Sequence, residues 1–272
     1  VLMCTAAVLA APCALAQSSD AYQLGQITRT QFNVPELPIY VTSENAEVLA
    51  AARRAFEVHG AFKLATQAQA KYSLALTPDV GGMHLKLTGG AAPLSTNVQG
   101  PDLRRSALRA CDKAVSHILG IPGFFDSKIA YVSDLSGNRE IYAGDLLFNN
   151  VRRLTSDKSN SLYPRWSPDG AKLLYTGYFN TGFPDIFLLD FASSKRSTVA
   201  SYKGTNTGAV FSPNGHYVAM ALSSSGNPEL YIAGHDGKNP KRLTRTKALE
   251  SSPVFSPDSS RLCFVNDSAG GP

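Results

Sequence analysis

Short apolar runs separated by turn residues fill the chain from residue 128 onward. Runs of four to seven residues bounded by Gly, Pro, Asn, Asp or Ser are typical of β-strands. One stretch shows the order clearly, with apolar runs at 206–211, 216–222, 229–233 and 241–244. Four strands within about 40–45 residues make one blade of a β-propeller. The pattern therefore predicts an all-β propeller for this part of the chain.

A five-residue phrase, Trp166 to Gly170 (WSPDG), marks the successive blades. It returns at 211–215 and 255–259, with offsets of 45 and 44 residues. Pro, Asp, Asn and Gly favour tight turns, so the phrase predicts a strand that ends on an aromatic residue, followed by a turn capped by its own Asp side chain. We expect the aromatic ring to fill the wedge between neighbouring blades. The residues assigned to this structural signature are Trp166, Pro168, Asp169, Gly170, Phe211, Pro213, Asn214, Gly215, Phe255, Pro257 and Asp258.

Two further phrases keep the same offsets. The phrase at 137–142 has counterparts at 182–187 and 226–231, and Arg153–Thr155 (RLT) returns at 242–244. Three phrases in one register indicate a true internal repeat.

The repeat also predicts that the ring is incomplete. Residues 128–155 supply three strands, 160–200 and 204–245 supply full blades, and a further blade is left unfinished. A propeller hides its edge strands only by closing. We therefore expect the propeller at 128–272 to be truncated at its C-terminus. It would hold two full and two partial blades, and the innermost strand of the first blade would come from beyond the given sequence.

A small α/β domain is predicted at 36–121. Its predicted elements are a strand at 37–41, a helix with Ser43 as N-cap, two antiparallel strands at 71–76 and 83–87, and a helix at about 101–119. Gly120 and Pro122 end the second helix. Residues 122–127 are interpreted as the linker into the propeller.

The first 35 residues have a different character. Residues 1–16 carry no charge and end in Ala14-Leu15-Ala16, the small-residue pattern that signal peptidase requires. The run is too short to span a bilayer. We expect a signal peptide whose basic n-region is missing, followed by a flexible arm at 17–35; the alternative for the first segment is a buried helix.

Composition excludes some classes of protein. Hydrophobic residues make up 43% and charged residues 17% of the chain, which is a globular composition. The net charge of +5 is spread along the chain without a Lys/Arg-rich block, so nucleic-acid binding is not expected. Cys111 and Cys263 show no metal-ligand spacing and are expected to be buried small hydrophobes.

The sequence carries no recognisable catalytic pattern. It contains neither a G-x-S-x-G elbow nor a phosphate-cradling glycine loop, and its five histidines are scattered. We expect no catalytic residue, no metal and no cofactor. Function by surface recognition is the simplest interpretation.

The order of these features resembles the TolB-type β-propeller family. The resemblance rests on the helix ending Ile118–Gly123 (ILGIPG), the strand Lys128–Ser133 (KIAYVS) and the blades marked W/F-S-P-D-G that follow. It covers residues from about 100 to 272, whereas residues 20–100 match only in general layout. The resemblance implies a non-enzymatic periplasmic protein of the Tol–Pal envelope system, with about six blades in the complete ring. It also implies a role in outer-membrane integrity and cell division.

Two partners are implied by the same resemblance. A peptidoglycan-associated lipoprotein would dock on the propeller face near the channel mouth, and inner-membrane Tol proteins would engage the N-terminal region; no membrane span is expected. Loops that lead into the innermost strands would lie near that mouth. By position alone, the candidate partner-binding residues are Lys158, Asn160, Thr205, Asn206, Glu250 and Ser251.

Two rival functions remain open from sequence. The blade phrase also occurs in propellers of prolyl-oligopeptidase-like serine peptidases, whose catalytic domain would have to lie outside this chain. The other rival is a propeller lyase or sugar-binding protein with a channel metal, for which the chain offers no histidine cluster. An ordinary role as blade turns is the alternative for each of the candidate binding residues.

Overall fold

The computed structural model describes residues 36–90 and 92–268. The predicted signal peptide (1–16) and flexible arm (17–35) lie outside the described residues. The description divides into an N-terminal α/β region and a series of β-sheets, which agrees with the predicted fold class.

The N-terminal region contains one five-stranded sheet and two helices. The elements are β1 (Leu37–Thr42), α1 (Ala46–Val58), β2 (Phe62–Leu64), β3 (Tyr72–Asp79), β4 (Gly82–Thr88), β5 (Leu94–Gln99) and α2 (Leu103–Leu119). The strand order is β2-β1-β3-β4-β5, with β1 parallel to both of its neighbours and the other pairs antiparallel. The sequence pattern does not reveal β2 or β5, because β2 has three residues and the inward-facing side chains of β5, which include Thr96, are only half-buried.

Both helices pack against this sheet through their apolar faces. Phe56 of α1 and Leu108 of α2 join Leu76 and Leu85 of the sheet in one buried cluster. Each buried side chain of this size stabilises the fold by about 1.5–3 kcal/mol relative to an exposed one. Phe125, from the segment predicted to be the linker, belongs to the same cluster, so that segment is anchored to the α/β region.

The predicted N-cap of α1, Ser43, is wrong. Asn45 caps the helix, because its Oδ1 atom accepts hydrogen bonds from the backbone N–H groups of Glu47 and Val48, each at 3.0 Å. Ser43 instead accepts a hydrogen bond from the backbone of Asn45. Ser43 and Asn45 are both good capping residues and lie two positions apart, which made the choice ambiguous in sequence.

Four further sheets form the blades, numbered here from the N-terminal side. Blade 1 contains β6 (Lys128–Ser133), β7 (Glu140–Asp145) and β8 (Arg152–Arg153); blade 2 contains β9 (Ser161–Trp166), β10 (Lys172–Gly177), β11 (Asp185–Asp190) and β12 (Lys195–Ala200); blade 3 contains β13 (Asn206–Phe211), β14 (Tyr217–Leu222), β15 (Glu229–Gly234) and β16 (Lys241–Arg242); blade 4 contains β17 (Glu250–Phe255) and β18 (Leu262–Asn266). Within each blade, neighbouring strands are antiparallel and follow chain order.

The first strands of blades 2, 3 and 4 lie side by side as the innermost strands. β13 contacts both β9 and β17. Apolar side chains fill the space between blades, and the signature aromatics take part: Phe211 packs against a cluster that spans blades 2 and 3, and Trp166 against one that spans blades 1 and 2. The sheets are therefore held together mainly by burial of apolar surface.

The two cysteines differ in their surroundings. Cys111 is buried, as expected. Cys263 is exposed, so the prediction that it is buried is wrong. Both are free thiols, and burial raises the pKa of Cys111 well above its ordinary value. No helix within the described part of the chain is long and apolar enough to cross a membrane.

Candidate functional site

Each innermost strand carries a bulge at the same position. The third residue of the strand is Tyr163 in β9, Gly208 in β13 and Ser252 in β17, and all three have positive φ angles of 55°, 67° and 52°. The pairing register of each strand shifts at this point. Such left-handed backbone is comfortable for glycine but costs about 1–2 kcal/mol for other residues.

Tyr163 is the unusual member of this set. A bulky residue rarely adopts a positive φ. Tyr163 does so while it is 56% exposed, so the burial of its ring offsets little of the backbone strain. Strained, exposed side chains on a rigid scaffold are concentrated at functional sites.

The three bulges open onto one groove. It has a volume of about 250 Å³ and runs across β9, β13 and β17, with Tyr163, Arg165, Thr207, Ser252 and Val254 among its lining residues. Arg165 and Val254 are exposed. The groove thus combines an aromatic ring, a cation and an apolar surface, a composition that is common in protein-binding sites.

The predicted loops lie at the start of these same strands. The segment with Lys158 and Asn160 leads into β9, Thr205 leads into β13, and Ser251 is the second residue of β17 and lines the groove. Lys158 and Asn160 are exposed, and Thr205 and Ser251 are half-buried. The structure therefore brings these residues to one end of the inner strands.

Asn206 and Glu250 are buried, with 1% and 0% of their surface exposed. The Nδ2 group of Asn206 donates to the carbonyl of Tyr202 at 2.8 Å, and Glu250 Oε1 accepts from Thr246 Oγ1 at 2.5 Å. Their side chains shape the loops from within. As residues that contact a partner directly, these two predictions do not fit the structure, because the first residue of each inner strand points into the protein.

A buried carboxylate links each blade to the loop that enters the next one. Glu140 Oε1 in blade 1 accepts from the backbone N–H of Lys158 at 3.0 Å, and Glu229 Oε1 in blade 3 accepts from that of Thr246 at 3.0 Å. Asp185 is the equivalent residue in blade 2 and accepts from Asn206 Nδ2 at 3.3 Å. The acidic position of the second sequence phrase is therefore a structural one.

The threonine of the RLT phrase completes this arrangement. Thr155 Oγ1 donates to Glu140 at 2.5 Å and accepts from the backbone of Ile141 at 2.8 Å. Thr244 bonds Glu229 and Leu230 in the same way. Buried carboxylates need such partners, since an unpaired one is costly.

The loop before β9 is anchored by Asp157. Its carboxylate accepts from Ser161 Oγ at 3.0 Å and from Tyr175 at 3.1 Å, and pairs with Arg196 at 2.5 Å. Burial, and then the charge of Asp157, raise the pKa of Tyr175 above its ordinary value, so the phenol stays a donor. Lys158 consequently lies in a loop whose position is set by the bonds of the neighbouring Asp157.

The signature turns are closed by their own side chains. In blade 2, Asp169 Oδ1 accepts from Ser167 Oγ at 2.5 Å and from the backbone of Ala171 at 3.0 Å. Asn214 and Asp258 occupy the same position in blades 3 and 4 with the same bonds. These residues lie at the far end of the inner strands from the candidate loops, and in the described residues no three His, Cys, Asp or Glu side chains are grouped to hold a metal ion.

Tyr163 and Arg165 are residues that sequence reasoning misses. They lie inside a strand, where alternation predicts only an inner and an outer face. The signal that could have exposed them is the glycine of β13 at the same repeat position, because a glycine there marks a backbone conformation that its counterparts must share.

Comparison with known proteins gives a family match over more than half of the chain. A family model described as "TolB beta propeller domain" matches residues 115–272. The Tol-Pal system protein TolB of Desulfosudis oleivorans is 37% identical over 145 residues, which are 53% of this chain and 33% of that protein. The protein TolB homolog of Chlorobium luteolum is 35% identical over 188 residues, 68% of this chain and 42% of that protein.

The chain thus spans about a third to two fifths of the length of these curated relatives. Among solved structures, that of TolB from Acinetobacter baumannii superposes with a TM-score of 0.74 at 21% identity, covering 87% of this chain and 67% of that one. At this level of identity the likeness concerns the fold.

Proposed function

The chain belongs to the TolB β-propeller family, and from this premise we propose that it is a periplasmic binding scaffold of the Tol–Pal system that acts without catalysis. In this proposal the propeller binds a peptidoglycan-associated lipoprotein, and the region at 36–121, joined to the propeller by a linker at 122–127, engages an inner-membrane Tol protein. Export would use the segment at 1–16. The names of the curated relatives support the system, and the partners are our assignment.

The observation that carries the lipoprotein assignment is the groove on the inner strands. It adjoins the exposed loop with Lys158 and Asn160, and Tyr163 stands 56% exposed on strained backbone beside Arg165. Tyr and Arg are the residue types that most often dominate the energy of protein interfaces. A rigid aromatic group next to a cation that forms no ion pair within the described part of the chain suits a partner segment that offers apolar and acidic side chains.

The test is a binding titration of the chain with the soluble domain of the lipoprotein. We expect Tyr163→Gly to weaken binding by at least tenfold, which is about 1.4 kcal/mol or more, and Arg165→Gln by about three- to tenfold, which is about 0.6–1.4 kcal/mol. Tyr163→Gly tests binding with little expected change in stability. It relieves left-handed strain of about 1–2 kcal/mol and adds an entropic cost of about 0.5–1 kcal/mol, so the free energy of unfolding should change little.

Arg261→Gln is the matched control, because Arg261 is exposed and lies in the signature turn at the far end of β17. It should leave the affinity unchanged. If Tyr163→Gly binds the lipoprotein domain as tightly as the unmodified chain, the groove is not the docking site.

A further inference from the structure

A second cavity lies between the α/β region and the propeller. Its volume is about 260 Å³, and α2, the linker, blade 1 and the end of β9 all contribute to its wall. Trp166, Ala143 and Gly144 give it an apolar side, and Lys128, Arg152 and Asn150 give it a polar side. This size is near the lower end of small-ligand pockets.

The indole of Trp166 leaves one polar group unsatisfied at this cavity. Its Nε1 atom is buried, and no acceptor lies within hydrogen-bonding distance among the described residues. Buried indole N–H groups normally have a partner. The ring of Phe191 packs on Trp166 at 5.4 Å between centroids, and the Arg152 guanidinium lies 5.6 Å from the centroid of Phe191, so the indole and the cation contact the same ring.

Some of the charged groups around the cavity form ion pairs and others do not. Asp126 is held by Arg105 and Arg109, each at 2.6 Å, and Asp145 is held by Arg104 at 3.2 Å. Lys128 and Arg152 also line the cavity, yet neither forms an ion pair within residues 36–90 and 92–268. Two cations and one indole donor therefore remain available to an anion.

We propose that this cavity binds a small organic carboxylate with a compact apolar body, about the size of an N-acetylated amino acid. The guanidinium of Arg152 matches the planar geometry of a carboxylate, and the indole N–H supplies a further donor. The apolar wall formed by Trp166 and Ala143 accommodates the body of the ligand. The carboxylates of Asp126 and Asp145 on the same wall disfavour a multiply charged anion such as phosphate.

This site is distinct from the groove proposed to bind the lipoprotein. Tyr163 and Arg165 line the groove and Trp166 lines the cavity, and the adjacent residues Arg165 and Trp166 point to opposite faces of β9, so the two sites lie on different faces of one strand. Loss of either function would leave the other measurable.

The sequence contains a single tryptophan, so Trp166 reports on the cavity directly. The experiment is a fluorescence titration of the chain, excited at the indole, with N-acetyl-leucine, with its neutral amide as the matched control ligand, and with inorganic phosphate. We expect a saturable change with N-acetyl-leucine and none with the amide. Phosphate should bind at least tenfold more weakly.

Arg152→Gln and Lys128→Gln should each weaken N-acetyl-leucine binding by at least tenfold. Arg153→Gln, one residue away and outside this cavity, should have no effect. Trp166→Phe, followed by calorimetry, should weaken binding because the ring remains and only the donor is lost. The proposal is overturned if the acid and the amide act alike, if phosphate binds as well as the acid, or if Arg152→Gln behaves as Arg153→Gln does.

Discussion

Asp258 shows how much a single turn residue can be perturbed while fully exposed. The hydroxyl of Ser256 donates to its carboxylate at 2.5 Å, and Ser260 adds a backbone N–H at 3.0 Å and a hydroxyl at 2.8 Å. These bonds favour the charged form and hold the pKa of Asp258 at about 2. Short polar side chains of the blade signature can thus lower the pKa of an exposed carboxyl group through hydrogen bonds within one turn.

The residue-scale prediction is that Ser256→Ala raises the pKa of Asp258. With its first and strongest donor removed, the value should move from about 2 toward the ordinary value of about 3.9. A carboxyl-detected NMR titration measures it. Ser260→Ala is the graded control, because it removes one hydroxyl and keeps the backbone bond, so its shift should be smaller; an unchanged pKa in Ser256→Ala would contradict the assignment.

Sequence reasoning succeeds for residues whose role is local. The turn formed by Ser167 and Asp169 can be predicted because its hydrogen bonds join residues two to five apart. It fails for Tyr163, whose importance comes from a strand bulge, and for Glu250, whose burial depends on partners at Thr246 and Asn266. Those features depend on how a strand meets its neighbours, which periodicity does not encode.

At the scale of the element, the outermost strands of blades 1 and 3 are short and depend on one threonine each. β8 and β16 have two residues, and the threonine that follows each of them bonds the carboxylate and a backbone N–H of the preceding strand. Strands of two residues form few backbone hydrogen bonds with the neighbouring strand and gain little stability from them. Their position is set by these side-chain bonds, which explains why RLT recurs as a phrase.

We expect Thr244→Val to lower the free energy of unfolding by about 1–3 kcal/mol, because it removes the hydroxyl that bonds Glu229 Oε2 and leaves the Leu230 N–H without this acceptor, although Glu229 Oε1 keeps its bonds to Arg242 and Thr246. Chemical denaturation measures the change. Thr198→Val is the control at an exposed position of β12, where a change within about 0.5 kcal/mol is expected. Equal effects of the two substitutions would show that Thr244 has no special role.

The number of blades and their strand order could be predicted from the repeats, because the phrases fix where strands begin and turns fall. The α/β region was harder to predict. β2 and β5 lie at the two edges of its sheet. β2 is too short to show an alternation, and the inward-facing side chains of β5 are only half-buried, so neither strand gives a clear hydrophobic pattern. The pairing of β2 with β1 also joins strands that helix α1 separates in sequence.

At the scale of the whole molecule, the α/β region and the propeller are joined by a tightly held segment. Gly123 approaches so close to Asp112 that an added Cβ would lie 2.4 Å from its Cα atom. Asp112 accepts from the backbone N–H groups of Phe125 and Asp126 at 2.6 and 3.0 Å. The aromatic ring of Phe124 stacks on His59 of the α1 C-terminus at 5.0 Å.

The charge of Asp126 makes this junction acid-sensitive. Burial opposes ionisation, but the guanidinium groups of Arg105 and Arg109 outweigh it and hold the pKa of Asp126 below its ordinary value. A lowered folded-state pKa gives stability that is present above the unfolded value of about 3.9 and is lost as the pH falls through the folded value.

We therefore expect the Tm of the unmodified chain to fall more steeply than that of Asp126→Asn below about pH 4. Burial raises the pKa of the neighbouring Asp112, and the charge of Asp126 adds to this shift; the burial part acts in both proteins and cancels, so the Asp126 pairing with the two arginines dominates the comparison. Scanning calorimetry between neutral pH and pH 2 measures the difference. Parallel pH profiles would contradict the assignment.

The buried carboxylates of Glu140, Asp185 and Glu229 have a consequence for cooperativity. Glu140 and Glu229 bond the loop that enters the following blade, and Asp185 bonds the side chain of Asn206 at the start of β13, so blades 1, 2 and 3 are each tied to the next one by a buried carboxylate. Each blade then stabilises mainly its immediate neighbours, as the units of a repeat protein do. Removing one of these bonds should uncouple the unfolding of the two blades that it connects. Native-state hydrogen exchange after Glu229→Gln should show blade 4 opening on its own while blade 2 keeps its protection.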